Sequence, residues 1–256
     1  MGATLEEGAY IYCIIEPKEP VSFDAVGIGG RGDAVYAVSL RDIGAVVSNT
    51  PVKKYPIARE HLMAHEQVIE EVMKTHTVLP VRFATIAENV EKVKLILEAE
   101  YRRLVDLLKS MEGKKELGLK IMFREEMVYK EILEKNDAIK AAKEKAGALP
   151  PGKSYYQRME IGRMVEAALQ REKEFYKDDA LRRLSPLCEE TRINNNYGEL
   201  MVMNAAFLVA REKEAEFDRE VQFLAERYEE KVRFKYVGAL PPFNFVNLVI
   251  NDVSHR

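Results

Sequence analysis

The chain has 256 residues, 47% of them hydrophobic, and a formal net charge of −3 at pH 7. An apolar fraction of this size supplies a packed interior and excludes a disordered chain. The charge balance provides no excess of positive residues to hold a polyanion, so we predict no nucleic-acid partner.

The cysteines and the apolar runs predict a cytoplasmic protein. Cys13 and Cys188 lie in apolar-patterned strand segments and are interpreted as buried thiols, which is typical of a reducing compartment. The first residues are acidic and do not resemble a signal peptide. The longest apolar run, residues 200–210, is interrupted by Asn204 and is much shorter than the about 20 residues of a membrane helix. We therefore predict no membrane partner.

The first half of the chain is predicted to alternate between strands and helices. Runs rich in β-branched and aromatic residues predict strands at residues 9–15, 34–38, 43–47 and 78–86. The last run contains Pro80, which predicts an edge strand or a strand that begins at that proline. Helical spacing of apolar residues predicts a helix over residues 58–76. A capping box at residues 85–88 opens a second helix that ends at Gly113.

The second half repeats this alternation with different sequences. It predicts a strand, a long helical stretch, two strands, a helix and a last strand, at residues 117–123, 125–184, 187–193, 199–209, 212–230 and 232–237. The helical stretch begins with a helix over residues 125–146 and restarts at a second capping box, residues 154–157. An Asn- and Gly-rich segment at residues 194–198 joins the two central strands as a hairpin loop.

These elements predict an α+β protein made of two α/β domains. The N-terminal α/β domain is predicted at residues 1–113. The C-terminal domain, residues 114–256, has the element order βαββαβ and is predicted to be a ferredoxin-like sandwich. Its first crossover is enlarged by a long helical insertion over about residues 125–184.

No sequence motif indicates a catalytic, cofactor-binding or metal-binding residue. Residues 27–32 match the glycine pattern of phosphate-binding loops, but a predicted strand follows them where the mechanism needs a helix, which favours an ordinary loop. His61 and His65 are spaced as two metal ligands on a helix, yet no third ligand is evident, and a packed or solvated helix face is favoured. We therefore predict no enzyme activity, no cofactor and no metal.

Three segments together resemble the gas vesicle protein F/L family (GvpF/GvpL). They are residues 78–83, which read Val-Leu-Pro-Val-Arg-Phe, residues 192–209, which contain the Asn triplet and an apolar run, and residues 238–246, which end in Pro-Pro-Phe-Asn-Phe-Val. With the aromatic opening strand, the resemblance covers nearly the whole chain. Ala84 stands where the family often has Gly, and Ala239 stands where Pro is usual, so the differences concern local loop geometry.

The resemblance implies a non-enzymatic accessory protein of gas vesicle formation, and hence of buoyancy. Proteins of this family are regarded as assembly factors or minor vesicle components. The partners that the resemblance implies are the small, apolar gas vesicle shell protein and other gas vesicle accessory proteins. The location that it implies is the cytoplasm and the gas vesicle, through a transient or a lasting association.

A physical mechanism for this role is a hypothesis about strand edges. A shell monomer that assembles by strand pairing exposes unpaired edges and apolar surface beforehand, and both promote aggregation. A soluble partner can cap an edge by β-augmentation and shield apolar side chains. Two segments that combine proline with aromatic anchors supply the candidate partner-binding residues, which are Pro80, Arg82, Phe83, Pro241, Pro242, Phe243 and Phe245. The alternative is that these phenylalanines are core residues.

A second function hypothesis belongs to a different class. A ferredoxin-like protein can also bind a small molecule or act as an enzyme, with the ligand in the cleft between the domains. A deep pocket lined by titratable side chains favours that hypothesis, whereas exposed aromatic side chains and open strand edges favour the assembly role.

Overall fold

A computed structural model describes residues 6–150 and 154–248 and divides the chain into two units. Unit 1 comprises Met1–Glu116 and Ala239–Arg256, and unit 2 comprises Leu117–Gly238. The fold is mixed α/β with antiparallel sheets, as the sequence predicts.

The predicted division of the chain differs from this one in its last segment. The sequence places everything after residue 113 in a C-terminal domain, but the segment that begins at Ala239 belongs to unit 1. The reason is tertiary, because Val246 and Leu248 are buried in a core of unit 1. A local hydrophobic pattern shows that such residues are buried, but not which domain buries them.

Unit 1 contains a six-stranded sheet centred on its first strand. Its strands are β1 (Glu7–Ile15), β2 (Ser22–Val26), β3 (Ala34–Leu40), β4 (Ile43–Pro51), β5 (Leu79–Pro80) and β6 (Ile86–Ala87). The order across the sheet is β2-β3-β4-β1-β5, and β6 also pairs with β1. Strands β4, β5 and β6 all run antiparallel to β1. Strand β1 is covered on both faces, which explains why it is apolar almost throughout.

A β-bulge in β1 exchanges the side chains that point to the two faces. The register between β1 and β4 shifts between Ile11 and Cys13. Before the shift, the even-numbered Tyr10 and the odd-numbered Ile11 pack in different cores. After the shift, the odd-numbered Cys13 packs in the core of Tyr10, and the even-numbered Ile14 packs in the core of Ile11. An extra residue has this effect because side chains along a strand alternate with a period of two.

One helix covers each face of this sheet. Helix α1 (Arg59–Met73) packs on the face that carries Tyr10, and α2 (Val90–Met111) packs on the face that carries Ile11. The buried residues of α2 recur at helical spacing and are Val93, Ile96, Leu97, Leu104 and Leu108. The prediction of these two helices is confirmed.

The continuous strand predicted over residues 78–86 is wrong, because the residues between its two ends are not in a strand. The structure has β5 near its start and β6 at its end, and both pair with β1. The predicted capping box at residues 85–88 is also wrong, because β6 takes up its central residues. Helix α2 instead begins after Asn89, whose side chain accepts a hydrogen bond from the Lys92 N–H at 2.9 Å.

Unit 2 contains most of a four-stranded sheet packed with helices. The strands are β7 (Lys114–Phe123), β8 (Glu190–Ile193), β9 (Met201–Ala210) and β10 (Val232–Leu240). Their order across the sheet is β10-β7-β9-β8. The helices are α3 (Glu125–Lys135), α4 (Asp137–Gly147), α5 (Tyr155–Leu184) and α6 (Glu214–Arg227). One apolar core joins β7 and β9 to all four of these helices.

The predicted helix over residues 125–146 is interrupted at one residue. Helix α3 ends before Asn136 and α4 begins after it. The Asn136 side chain accepts a hydrogen bond from the Ile139 N–H at 3.2 Å. Asparagine competes with the helix for backbone hydrogen bonds and is a preferred N-cap, which is why the helix restarts here.

The predicted hairpin between the central strands of unit 2 is confirmed. Strands β8 and β9 pair antiparallel, and Gly198 in the connecting loop has a φ of +80°. Strand β8 is shorter than predicted and begins at Glu190. Cys188 therefore lies outside the strand and is half-buried, whereas Cys13 is buried as predicted.

Candidate partner-binding surface

A buried histidine lies between the two segments that were predicted to bind a partner. His65, on α1, is 3% exposed. Its Nε2 lies 3.2 Å from the Val81 carbonyl oxygen, and its Nδ1 lies 3.1 Å from the Tyr10 hydroxyl. Because a carbonyl only accepts, Nε2 carries the proton and Nδ1 accepts a hydrogen bond from Tyr10. The Tyr10 hydroxyl accepts from the Ala84 N–H at 2.8 Å, so the two side chains hold residues 81–84 in place.

The surroundings of His65 keep its ring neutral at pH 7. Burial lowers the pKa of His65 to about 4, although the hydrogen bond to the Val81 carbonyl acts in the opposite direction. Both ring nitrogens are engaged, so His61 and His65 do not offer two free metal ligands. Among residues 6–150 and 154–248, no three histidine, cysteine, aspartate or glutamate side chains are grouped so that they could hold a metal ion.

Aromatic side chains from both predicted segments meet at this histidine. The Phe83 ring packs edge-on against His65 with ring centroids 5.8 Å apart, and the Phe243 ring lies tilted at 6.4 Å. The backbones also meet close by, because Val81 forms a parallel bridge with Leu248, shortly after the second of these segments. The structure therefore brings together two segments that are far apart in the sequence.

A turn at Pro242 presents the C-terminal phenylalanines. The N–H groups of Phe245 and Val246 donate to the Pro242 carbonyl, with N···O distances of 3.1 and 2.9 Å. The side chain of Phe243 is 41% exposed, whereas Phe245 is half-buried. The turn thus leaves Phe243 as the more accessible of the two rings.

A buried carboxylate fixes this turn. Glu116, in β7, is 2% exposed, and its two oxygens accept hydrogen bonds from the backbone N–H of Asn244 at 3.0 Å and from its side-chain amide at 2.6 Å. Burial raises the pKa of Glu116, and the hydrogen bonds from Asn244 act in the opposite direction. Two donors on one carboxylate define the orientation of Asn244 and hence of the neighbouring Phe243.

The seven predicted residues divide into a buried and an accessible group. The buried residues are Pro80, Pro241 and Pro242. The residues that reach the surface are the exposed Arg82 and Phe243 and the half-buried Phe83 and Phe245. We call these four residues the phenylalanine surface. The prolines shape the two segments from below but do not contribute to this surface.

Sequence reasoning missed the residues that position the phenylalanine surface. The sequence singles out His65 as a member of an apolar stripe and, with His61, as a possible metal ligand, but not as a support for the phenylalanine rings. Tyr10 is evident only as a residue of a strand. Glu116 carries no sequence signal, because a glutamate beside two lysines is read as solvated. The one available signal was a polar ring in an apolar stripe, at His65.

Both positions that depart from the family pattern have a left-handed backbone. The φ angle is +62° at Ala84 and +50° at Ala239. At Ala84 the Cβ atom makes this conformation strained, and the glycine that the family often has would be unstrained. Proline is confined to a φ near about −65°, so a proline could not occupy the backbone found at Ala239.

Replacing Ala84 by glycine should stabilise the chain. Glycine adopts this φ without the strain of a Cβ atom, and we expect the free energy of unfolding to rise by about 0.5–1 kcal/mol. Urea unfolding near neutral pH measures the change. The control is Ala87→Gly in β6, where glycine should instead cost about 1 kcal/mol. A loss at Ala84 as large as the loss at Ala87 would contradict a strained backbone.

The sequence matches one protein family over most of its length. The family model described as "Gas vesicle synthesis protein GvpL/GvpF" matches residues 8–247. This match places the chain in the class of gas vesicle proteins. The chain belongs to the GvpL/GvpF family, and the resemblance seen in the three segments is confirmed.

The relatives of the chain are named gas vesicle proteins F and L. Gas vesicle protein F of Nostoc sp. (strain PCC 7120) is 26% identical to the chain over 95% of it and 100% of the relative. Gas vesicle protein F of Haloferax mediterranei is 26% identical over 98% of the chain and 99% of the relative. Gas vesicle protein L1 of Halobacterium salinarum is 21% identical over 94% of the chain and 91% of the relative. These relatives favour a gas vesicle role over the small-molecule alternative.

The fold is also that of solved structures. The crystal structure of the gas vesicle protein GvpF from Anabaena sp. PCC7120 has a TM-score of 0.83 and 25% identity, and the match covers 95% of this chain and 99% of that one. The crystal structure of GvpF from Microcystis aeruginosa has a TM-score of 0.74 and 24% identity. That match covers 94% of this chain and 99% of the other. Within the part of the chain that the structure describes, no helix has the length and apolar character that a membrane span requires.

Proposed function

We propose that the chain binds the apolar shell protein during gas vesicle assembly, through the phenylalanine surface. In this proposal it acts in the cytoplasm as an assembly factor or stays with the vesicle as a minor component, and it works by binding and not by catalysis. The observation that carries the proposal is the exposed ring of Phe243, which rests on the buried ring of His65.

The composition of the phenylalanine surface supports this proposal. Aromatic and arginine side chains are enriched at protein interfaces and supply much of their binding energy. The ring of Phe243 is held by His65 on one side, and its backbone is held through the neighbouring Asn244 by Glu116. An anchor that is already fixed loses little conformational entropy when a partner covers it.

The chemistry of the proposed partner fits a surface of this kind. A shell monomer that assembles by strand pairing exposes apolar side chains before it is incorporated, and these promote aggregation. Phenylalanine rings cover apolar side chains without offering the partner a polar group to desolvate. The chain would thus keep the monomer soluble and release it to the growing shell.

Replacing Phe243 by alanine should weaken capture of purified shell protein by about fivefold to tenfold. The reason is the loss of a preorganised aromatic anchor, for which a cost of about 1 kcal/mol or more is typical. The free energy of unfolding should fall by no more than about 1–2 kcal/mol, because the residue is already 41% exposed. A pull-down over a range of shell-protein concentrations measures the effect.

Phe223, on α6 in unit 2, provides a matched control. Its side chain is 45% exposed, so Phe223→Ala removes a similar ring from a different surface and should leave capture unchanged. Phe245→Ala tests the half-buried ring of the same turn. Undiminished capture by Phe243→Ala, or an equal loss in Phe223→Ala, would remove the phenylalanine surface from the proposal.

We further propose that other gas vesicle proteins contact the charged helices of unit 2. These helices carry ion pairs at three-residue spacing, such as Asp137 with Lys140 at 3.1 Å and Glu174 with Lys177 at 3.0 Å. Exposed charges of both signs suit a polar contact that weakens with salt. Such a contact differs in kind from the shielding of an apolar monomer.

We also propose that unit 2 is a ferredoxin-like sandwich with an enlarged first crossover. Its strands and helices follow the order βαββαβ when α3, α4 and α5 are counted together as the first crossover. The sheet order β10-β7-β9-β8 supports this, since it places the first strand between the third and the fourth. The three crossover helices correspond to the insertion predicted at about residues 125–184.

A further inference from the structure

A segment near the C-terminus pairs with one edge of the sheet in unit 1 through an isolated β-bridge. Strand β5 lies last in the sheet order, and Val81, which follows it, forms a parallel bridge with Leu248. An uncovered strand edge is a template for pairing with another strand. Here the chain's own residues occupy the edge, and we call residues 246–248 the tail strand.

The tail strand is anchored by side chains that are two residues apart. Val246 and Leu248 are buried in the same core as Leu79 and Val81, while Asn247 between them is exposed. This period of two is that of a β-strand. The edge therefore accepts an extended segment with aliphatic side chains at alternate positions.

In the part of the chain that the structure describes, the backbone of the tail strand pairs with the edge at one bridge, between Val81 and Leu248. Pro80, next to the bridged Val81, has no N–H to donate. Among the described residues, this bridge is the only isolated β-bridge, and no residue of the tail strand belongs to a named strand. A segment at the edge of a sheet opens at a lower free energy than a strand in its middle.

The turn before the tail strand has a separate attachment. The carboxylate of Glu116 holds Asn244, so the turn that carries Phe243 can stay in place when the tail strand leaves the edge. Glu116 and Asn244 thus form a fixed point between the phenylalanine surface and the residues that cover the edge.

We propose that the edge beside β5 is a docking site for an extended, aliphatic strand of the shell protein, which replaces the tail strand. This inference rests on the proposed function and adds to it a second contact and an exchange step. The tail strand shows the chemistry of the occupant, which has aliphatic side chains two residues apart and an uncharged residue between them. The exchanged strand would lie next to the phenylalanine surface, so one partner segment can use both.

A reversible lock tests the exchange in the full chain. Val81→Cys combined with Leu248→Cys places two thiols at bridged positions, a geometry that suits a disulfide. Cys13 packs in the other core and does not compete with this pair. We expect the oxidised form to capture shell protein at least about tenfold more weakly than the reduced form. The native chain should capture it equally under both conditions.

A labelled peptide tests the edge without the shell protein. The probe has the sequence of residues 244–250 and should bind the reduced double variant but not the oxidised one. Leu248→Ala is a second variant that needs no disulfide. It removes a buried side chain from the tail strand, so it should take up the peptide about tenfold better than the native chain does.

The two measurements separate the docking site from the proposed function. Equal peptide binding by the oxidised and reduced forms, or by native chain and Leu248→Ala, overturns the docking site. Equal capture of shell protein by the oxidised and reduced forms overturns the exchange step. If the peptide binds as expected but no form captures shell protein, the edge accepts a strand and the proposed function is contradicted.

Discussion

Lowering the pH from about 7 to about 5 should reduce the free energy of unfolding by about 2 kcal/mol through His65 alone. Burial lowers the pKa of this residue to about 4 in the folded chain, from an ordinary value of 6.5. The unfolded chain therefore takes up a proton as the pH falls through 6.5, and the folded chain does not. The stability that the neutral His65 contributes is therefore fully present above pH 6.5, and it is lost progressively as the pH falls toward about 4.

His65→Gln isolates this contribution from those of other groups. Glutamine offers a donor for the Val81 carbonyl and an acceptor for the Tyr10 hydroxyl, but it does not titrate. Tyr10 and Tyr12, whose rings face His65, stay neutral because burial raises the pKa of both. Urea unfolding at both pH values should show a loss smaller by about 2 kcal/mol in the variant. Identical losses would mean that the folded chain binds the proton as readily as the unfolded chain.

Replacing Tyr10 by phenylalanine should lower the free energy of unfolding by about 1–3 kcal/mol. The hydroxyl donates to Nδ1 of His65 and accepts from the Ala84 N–H, so its removal leaves a buried acceptor and a donor without their partner. The ring itself still fills its place in the core. Chemical unfolding near neutral pH measures the loss.

Tyr36→Phe is the matched control for that substitution. The Tyr36 hydroxyl donates to Asn49 at 3.1 Å in an exposed position, where water can replace either partner. Its removal should change the free energy of unfolding by no more than about 0.5 kcal/mol. Equal effects of the two substitutions would contradict the role of Tyr10 in holding residues 81–84.

These two residues link the stability of unit 1 to the phenylalanine surface. His65 supports the rings of Phe83 and Phe243, and Tyr10 orients His65 through its ring nitrogen. A loosened His65 would therefore weaken both the fold and the presentation of the anchor. We expect Tyr10→Phe to reduce capture of shell protein less than Phe243→Ala does, because the anchor itself remains.

Much of the secondary structure could be predicted, because it follows from local burial patterns. The stripes of α1 and α2 and the apolar runs of β1 and β9 all appear where the sequence places them. Strand β2 and the interruption at Asn136 were not predicted. The largest error lies at residues 78–88, where a strand and a capping box were predicted. Pairing of β6 with the distant β1 decides that segment, and a local window contains no information about its partner.

The candidate site could be predicted in part. The sequence indicated Phe83 and Phe243 as anchors, on the strength of a family pattern and their neighbouring prolines. It did not show that both rings rest on His65, because that depends on the return of the C-terminal segment to unit 1. It also did not show that Glu116 is buried, since its burial comes from the same return.

Composition, periodicity and short motifs were thus sufficient for the α+β class, for most helices and strands, and for membership in the GvpL/GvpF family. Each of these properties is encoded in neighbouring residues, whose spacing shows that a face is buried. The assignment of the last segment to unit 1 and the exposure of Phe243 beside buried prolines required the folded chain. Both depend on packing between residues far apart in sequence, and a period of two or of 3.6 shows that a side chain is covered but not by what.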